Sequence, residues 1–519
     1  MRSLSQEKIF FRILILFSIL VNQYYGNRGV FPIDSFLIFD AAFNIISGNH
    51  PFKDYWLITG PFLDYIQSFF FLIFGINWTS YVLHASMLNM VLVLFSFYFF
   101  LNIGLKNYYA FIYALGVAVL AYPSIGTPFV DHHSVIFSIL ACFSISLAVL
   151  KEKNLFWILV PIFITFSFFS KQIPSPYFIL LFAIVISIYF YLINSINKKV
   201  LLNLLLGSFF SLLLVASIFF INQIPFKNFL TQYIFYPFSL GEIRVSGLNI
   251  DFDNLISQFK FIYLILIPLV ISTFILGKIK KKNLTKKKDF VIALFFLGSV
   301  VILIYFQLLI KNQILIFFII PISAAYSHAY TKKYFNKKYL VYFILIIFIF
   351  TTAKYHIRFN QNRKFIELAS VDLNLAESAF KLDKRLKGLN WITPHYPNMP
   401  SKEISHLLDT KNILSRKKEA KIIITDYQFF SSMLNNKIAS PNKWYDNLSI
   451  PDKQNKYYDA HKKFFINRVN KNEIKYLFFI GKNKSKMYFF EEILNENKCI
   501  VLQQLNELLM EFDITKCKF

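Results

Sequence analysis

Charge is what this chain has least of. Only 16% of its 519 residues are charged, and glycine (15) and cysteine (3) are scarce. A soluble globular chain carries about 25% charged residues. Here 56% of residues are apolar and 19% aromatic, with a mean hydropathy of +0.49. A soluble core of this size cannot hide that excess. An ordinary cytosolic enzyme, a disordered chain and a collagen are therefore excluded. The three cysteines, Cys142, Cys499 and Cys517, are too few for a disulfide scaffold or a cysteine-based metal site. No G-x-x-x-x-G-K-[ST] and no G-x-G-x-x-G occurs, so nothing points to a glycine-rich phosphate loop. Neither a fixed-period repeat nor the matched interrupted spans of many secondary transporters is visible.

What the chain has instead is long apolar runs. The first follows a short basic start and reaches about Tyr25. It lacks a small-residue cleavage site, so it reads as a retained span. Others lie at about 79–102, 107–122, 133–150, 155–170, 174–194, 200–221, 261–277, 289–310, 313–330 and 339–353. Each is rich in Leu, Ile and Phe, and helix is the open-chain way to satisfy backbone groups in lipid. The expectation is an α-helical polytopic membrane protein of about eleven spans.

The net charge of +26 sorts to alternate connections. Lys106, then Lys151 and Lys153, then Lys198 and Lys199, then the run beginning at Lys278, then Lys332, Lys333, Lys337 and Lys338 fall on one side. This positive-inside pattern puts the N-terminus in the cytoplasm. It puts the outer loops 26–78 and 222–260 and everything after about 353 outside. The lysines read as topogenic rather than as a nucleic-acid site. The expected division is a transmembrane region over 1–353 and an extracytoplasmic domain over 354–519. In the latter, strand-like 389–393, Lys421–Asp426, 475–480 and 499–502 alternate with helix-like 372–388, 402–409, 453–469 and 485–496. That alternation predicts an α/β domain with a largely parallel sheet. Asp426 ends a strand there and reads chiefly as a capping or loop residue. Cys499 and Cys517 could pair if that side is oxidising, though their spacing neither requires nor forbids it.

Candidate chemistry gathers in the first outer loop. Ser35 to Ser47 predicts a surface helix ended by Gly48, with Asp40, Asn44 and Ser47 as a polar stripe facing a cavity. Asp34 precedes it, either as an N-cap or as a carboxylate able to take a proton from a hydroxyl. Asp54 follows in Pro51-Phe52-Lys53-Asp54-Tyr55-Trp56, and 62–74 suggests a second interfacial helix. Asp131-His132-His133-Ser134 lies at another outer mouth, where Asp131 reads as a cap or a functional acid. The adjacent histidines point about 100° apart on a helix and make poor joint metal ligands. Lys171 sits on the outer side against the charge trend, as a snorkelling residue or a partner for phosphate. Arg244 suits a bidentate phosphate contact or a rim ion pair with Glu242. Gln313 follows Lys311-Asn312 at a further outer turn.

The Asp after the first span, the helix ending Ser47-Gly48, then Pro-Phe-Lys-Asp-Tyr-Trp and Gly60-Pro61 resemble the first outer loop of GT-C glycosyltransferases. The bacterial branches near aminoarabinose transferase and protein O-mannosyltransferase are the most similar. These are multi-span enzymes of the bacterial inner membrane that move a sugar from a polyprenyl-phosphate carrier to a lipid, glycan or protein acceptor on the outer face. The resemblance implies Asp34 as catalytic base and Asp131 as a second acid near donor or acceptor. It implies Lys171 as a contact to the carrier phosphate, and Lys311-Asn312-Gln313 resembles a stretch of this subfamily; Arg244, Asp40, Asp54, His132 and Gln313 are the further substrate-binding candidates. No cofactor or metal is implied. Ser35 stands where many relatives have Glu, and Thr59 where many have Lys. A flippase of lipid-linked glycans and a glycan polymerase or ligase are the rival readings.

Overall fold

A computed structural model describes residues 2–193, 197–248, 250–278, 283–311, 316–446, 448–482 and 500–517. A helix occupies each of the eleven apolar runs. In chain order they are α1 (Arg2–Gly26), α2 (Trp78–Asn102), α3 (Asn107–Leu120), α4 (Val130–Lys151), α5 (Asn154–Ser170) and α6 (Ser175–Ile193). Then come α7 (Lys198–Ile221), α8 (Lys260–Gly277), α9 (Leu284–Ile310), α10 (Ile319–Tyr334) and α11 (Lys338–Tyr355). Eight of them, all but α3, α5 and α10, are long and apolar enough to cross a membrane. Those three have 14, 17 and 16 residues.

Helix α4 is the bundle's centre and is buried along almost its whole length. Its small side chains let α5 come close: Ser134 Oγ and Ser138 Oγ meet Ser167 Oγ at 3.0 and 2.9 Å. Hydroxyl pairs of this kind hold helices together where lipid supplies no hydrophobic drive. Helices α6 and α7 lie at the periphery, with few of their residues buried and most apolar side chains of α7 exposed. The lysine-bearing connections share one end of the bundle, where Lys288 pairs with Glu152 and Lys333 with Asp289. The C-terminal domain covers the opposite end. It joins the bundle through backbone bonds from Gly29 N to Asn390 O (3.0 Å) and Val30 N to Ile392 O (3.0 Å).

Among the described residues this domain has a four-stranded sheet of β1 (Lys421–Thr425), β2 (Tyr476–Ile480), β3 (Val501–Gln504) and β4 (Leu509–Asp513), in the order β1-β2-β4-β3. Helices α12 (Pro400–Arg416) and α13 (Tyr458–Lys471) accompany it. Successive residues of a strand face opposite ways. Ile422, Ile424, Leu477 and Phe479 accordingly enter one core with Phe465 and Val469 of α13, while Ile423, Phe478 and Ile480 join the main core.

Three expectations are corrected. The sheet is mixed rather than largely parallel. Only β1–β2 is parallel, because β3 and β4 form a hairpin whose turn residue Asn506 accepts the amides of Leu508 and Leu509 (2.8 Å each). The stretch 372–388 forms short 3₁₀ turns, since Asp372 and Asp383 take the amides of Asn374 and Arg385 on their own side chains and divert the backbone from helix. The loop helix expected over 35–47 is split into Pro32–Ser35 and Phe39–Ile46. Tertiary contacts claim the amides a continuous helix would use: Ile38 N donates to the Tyr81 hydroxyl and Asp40 N to Gln428 O. Phe36, fully buried, packs against Trp78 of the bundle and against Trp391 and Phe429 of the C-terminal domain. The helix-like stretch 485–496 and Cys499, with its pairing to Cys517, lie outside the described residues.

Candidate functional site

Asp34 sits in the single turn Pro32–Ser35 and caps nothing. Phe31 holds the N-cap position, and no side chain caps that turn. The Asp34 carboxylate is partly exposed. It is absent from every side-chain hydrogen bond and ion pair among the described residues. Its charged neighbours come from four other elements: Asp131 at the start of α4, Lys171 after α5, Glu367 beyond α11 and Asp426 beyond β1. Burial, and then the like charges of Asp131, Glu367 and Asp426, push the Asp34 pKa up to about 7, with Lys171 pulling the other way.

Asp131 does not act as the cap of α4 either, since that position is Phe129. Its carboxylate pairs with the Lys171 ammonium, and both side chains are largely buried. Lys171 also lies 5.6 Å above the Phe306 ring centroid. Three residues far apart in sequence thus converge: a carboxylate without a hydrogen bond beside a carboxylate–ammonium pair. An ammonium held this way can turn to a second anion, and the free carboxylate can accept a proton. On the flank of α5, a shallow apolar groove of only about 40 Å³ is lined by Phe52, Phe62, Phe166, Phe169, Ile218 and Phe219 among others. Phe169 lies two residues before Lys171.

Among the described residues no three His, Cys, Asp or Glu side chains are grouped so as to hold a metal ion. No known family model matches the chain, and no curated protein matches it significantly.

The other sequence-predicted residues fall elsewhere. Asp40 is taken out of the site: its two carboxylate oxygens accept the amides of Ser431 (2.9 Å) and Ser432 (3.0 Å). The expected polar stripe therefore faces the C-terminal domain. Burial pushes the Asp40 pKa up to about 6, and the Ser432 and Ser431 bonds draw it back. Asp54 is likewise a fastener, buried and bonded to Arg468 Nη1 at 2.9 Å and to His50 N at 2.9 Å. His132 is fully buried, 3.2 Å from Ser124 Oγ and edge-on to Phe129 and Phe365, so it faces no open site. Arg244 lies on the helix Gly241–Ser246, but its side chain, like all of Gln313, is outside the described residues.

Two neighbours of Asp34 were not expected. Glu367 carries no local signal: it follows a 3₁₀ turn in the left-handed region (φ +60°). Asp426 had one, since it ends the first strand of the parallel pair β1–β2, and the carboxyl ends of such strands are where α/β sheets present functional groups. Lys443 was also unforeseen. It reaches from the C-terminal domain into the bundle's loop and pairs with Asp64, both side chains being almost wholly buried, while the Tyr55 hydroxyl donates to Asp64 at 2.9 Å.

Proposed function

We propose that this chain is a membrane glycosyltransferase that moves a sugar from a polyprenyl-phosphate carrier to a lipid, glycan or protein acceptor. The observation that carries the reading is the Asp34 carboxylate, without a hydrogen bond and with a pKa near neutrality, beside the Lys171–Asp131 pair. The first-loop resemblance agrees with it. In the reaction, Asp34 takes the proton of the acceptor hydroxyl. The acceptor oxygen bonds to the anomeric carbon as the bond from that carbon to the phosphate oxygen breaks. The carrier phosphate leaves as an anion, and Lys171 stabilises its charge. One displacement inverts the anomeric centre.

The same reading takes all eleven helices as spans. It places the lysine end in the cytoplasm and the site and C-terminal domain on the outer face of a bacterial inner membrane. What supports it is that the lysine connections and the C-terminal domain occupy opposite ends of the bundle. No metal enters the proposed step.

The test is transfer in vesicles containing the reconstituted chain, a panel of radiolabelled polyprenyl-phosphate sugars and an envelope lipid extract. Wild type should transfer label, and folded Asp34→Asn should lose about a hundredfold or more. Equal transfer by both would remove Asp34 as the base. Label crossing the bilayer without transfer would favour a flippase.

A further inference from the structure

A second groove lies on another face of the bundle, away from α5. Helix α3 forms its floor, and α1 and α11 its walls. Gly116 lets α3 and α11 approach, since a Cβ there would stand 2.6 Å from the Phe348 ring. The lining is apolar through Val21, Leu115, Val119 and Ile349, and its volume is about 690 Å³. At the end nearest the C-terminal domain the Tyr25 hydroxyl meets His356 Nε2 at 3.2 Å and closes it.

That end is polar and cationic. Arg28 donates to the Tyr24 hydroxyl (3.2 Å) and lies over the Tyr24 ring at 5.3 Å, and Tyr24 lines the groove. Among the described residues Arg28 has no carboxylate partner. The Thr352 hydroxyl, also in the lining, is buried with no hydrogen-bond partner. Along α1 the lining runs from Phe17 to Tyr25, a helical rise of about 12 Å. One leaflet of hydrocarbon is about 15 Å deep, half of a core of roughly 30 Å.

We infer that this groove is a binding site for one anionic phospholipid of the leaflet on the C-terminal domain's side. An acyl chain occupies the apolar length, and the phosphate faces Arg28. Charge chooses the headgroup, and depth chooses a lipid of one leaflet over a long isoprenoid. The inference does not rest on the transferase reading.

The experiment is native mass spectrometry of the full chain in detergent, titrated with phosphatidylglycerol or phosphatidylcholine of matched chains. One basic side chain at a membrane surface contributes about 1 kcal/mol toward an anionic lipid. Phosphatidylglycerol should therefore bind about fivefold better. Arg28→Gln should abolish that preference while leaving phosphatidylcholine binding unchanged. Leu115→Trp, which fills the groove, should remove the bound lipid of either kind, with an unchanged melting temperature as the folding control. Equal binding of both lipids by wild type, or a preference that survives Arg28→Gln, overturns the inference. So does displacement of phosphatidylglycerol by equimolar polyprenyl phosphate, which would make the carrier the occupant.

Discussion

Two sets of acidic residues meet between the bundle and the C-terminal domain, and they are treated oppositely. Along the seam Asp40, Asp54 and Asp64, and within the C-terminal domain Glu403, are buried, and each is matched by donors. Two amides serve Asp40, Arg468 and the His50 amide serve Asp54, and Lys443 with Tyr55 serves Asp64. Trp391, Thr393 and Tyr427 serve Glu403. At the mouth, Asp131 is matched by Lys171, and Asp34, with Asp131, Glu367, Asp426 and Lys171 as its charged neighbours, is left without a hydrogen bond. Burial raises the pKa of both kinds, but the donors draw the matched ones back and tie them to the structure, while Asp34 without a hydrogen bond is left near 7, able to exchange a proton.

The sharpest way to break this contrast is at the seam. Asp64→Ala leaves the Lys443 ammonium buried without its partner, which should cost about 3–5 kcal/mol. Thermal unfolding in detergent measures it, and the double change Asp64→Leu with Lys443→Met should recover most of the loss. Asp34→Asn should do the reverse: no loss of stability and transfer down about a hundredfold. If Asp34→Asn unfolded the chain and Asp64→Ala did not, the division into seam and mouth would be wrong. Asp40→Ala should fall between in stability, at about 1–3 kcal/mol, because the Ser431 and Ser432 amides lose their acceptor in a buried place.

The smallest effect concerns pH. Asp34 acts as a base only when ionised, so transfer should rise with pH through about 7. Stability runs the other way. A carboxylate whose folded pKa is raised binds its proton more tightly in the folded chain. Its favourable contribution is present at acid pH and is lost as pH rises from the ordinary carboxylate range through about 7. Glu367→Gln removes a like charge and should move the midpoint of the transfer profile down, and Lys171→Met should move it up. Opposite shifts would show that neither side chain faces Asp34.

Legibility followed the range of the forces involved. The helices were readable because an apolar run satisfies its backbone locally whatever surrounds it. Asp34 and Asp131 each read as a cap or a functional acid and Lys171 as a lysine against the charge trend, and only the fold brings the three together. Asp40 was misread because a stripe on a helix says that a polar face exists and not what covers it. The Ser431 and Ser432 amides are almost four hundred residues away. Glu367 had no local pattern at all.

Sequence alone therefore determined the membrane class, the place of each long helix and the end of the bundle where the lysines collect. These depend on composition and on hydrogen bonds made within a segment. Only the tertiary structure decided which carboxylates fasten and which one stands free. It also broke the first-loop helix at Phe36 and turned the sheet mixed. Each of those outcomes depends on desolvation and on partners brought together by packing, and a buried charge takes its character from its neighbours rather than from its place in the chain.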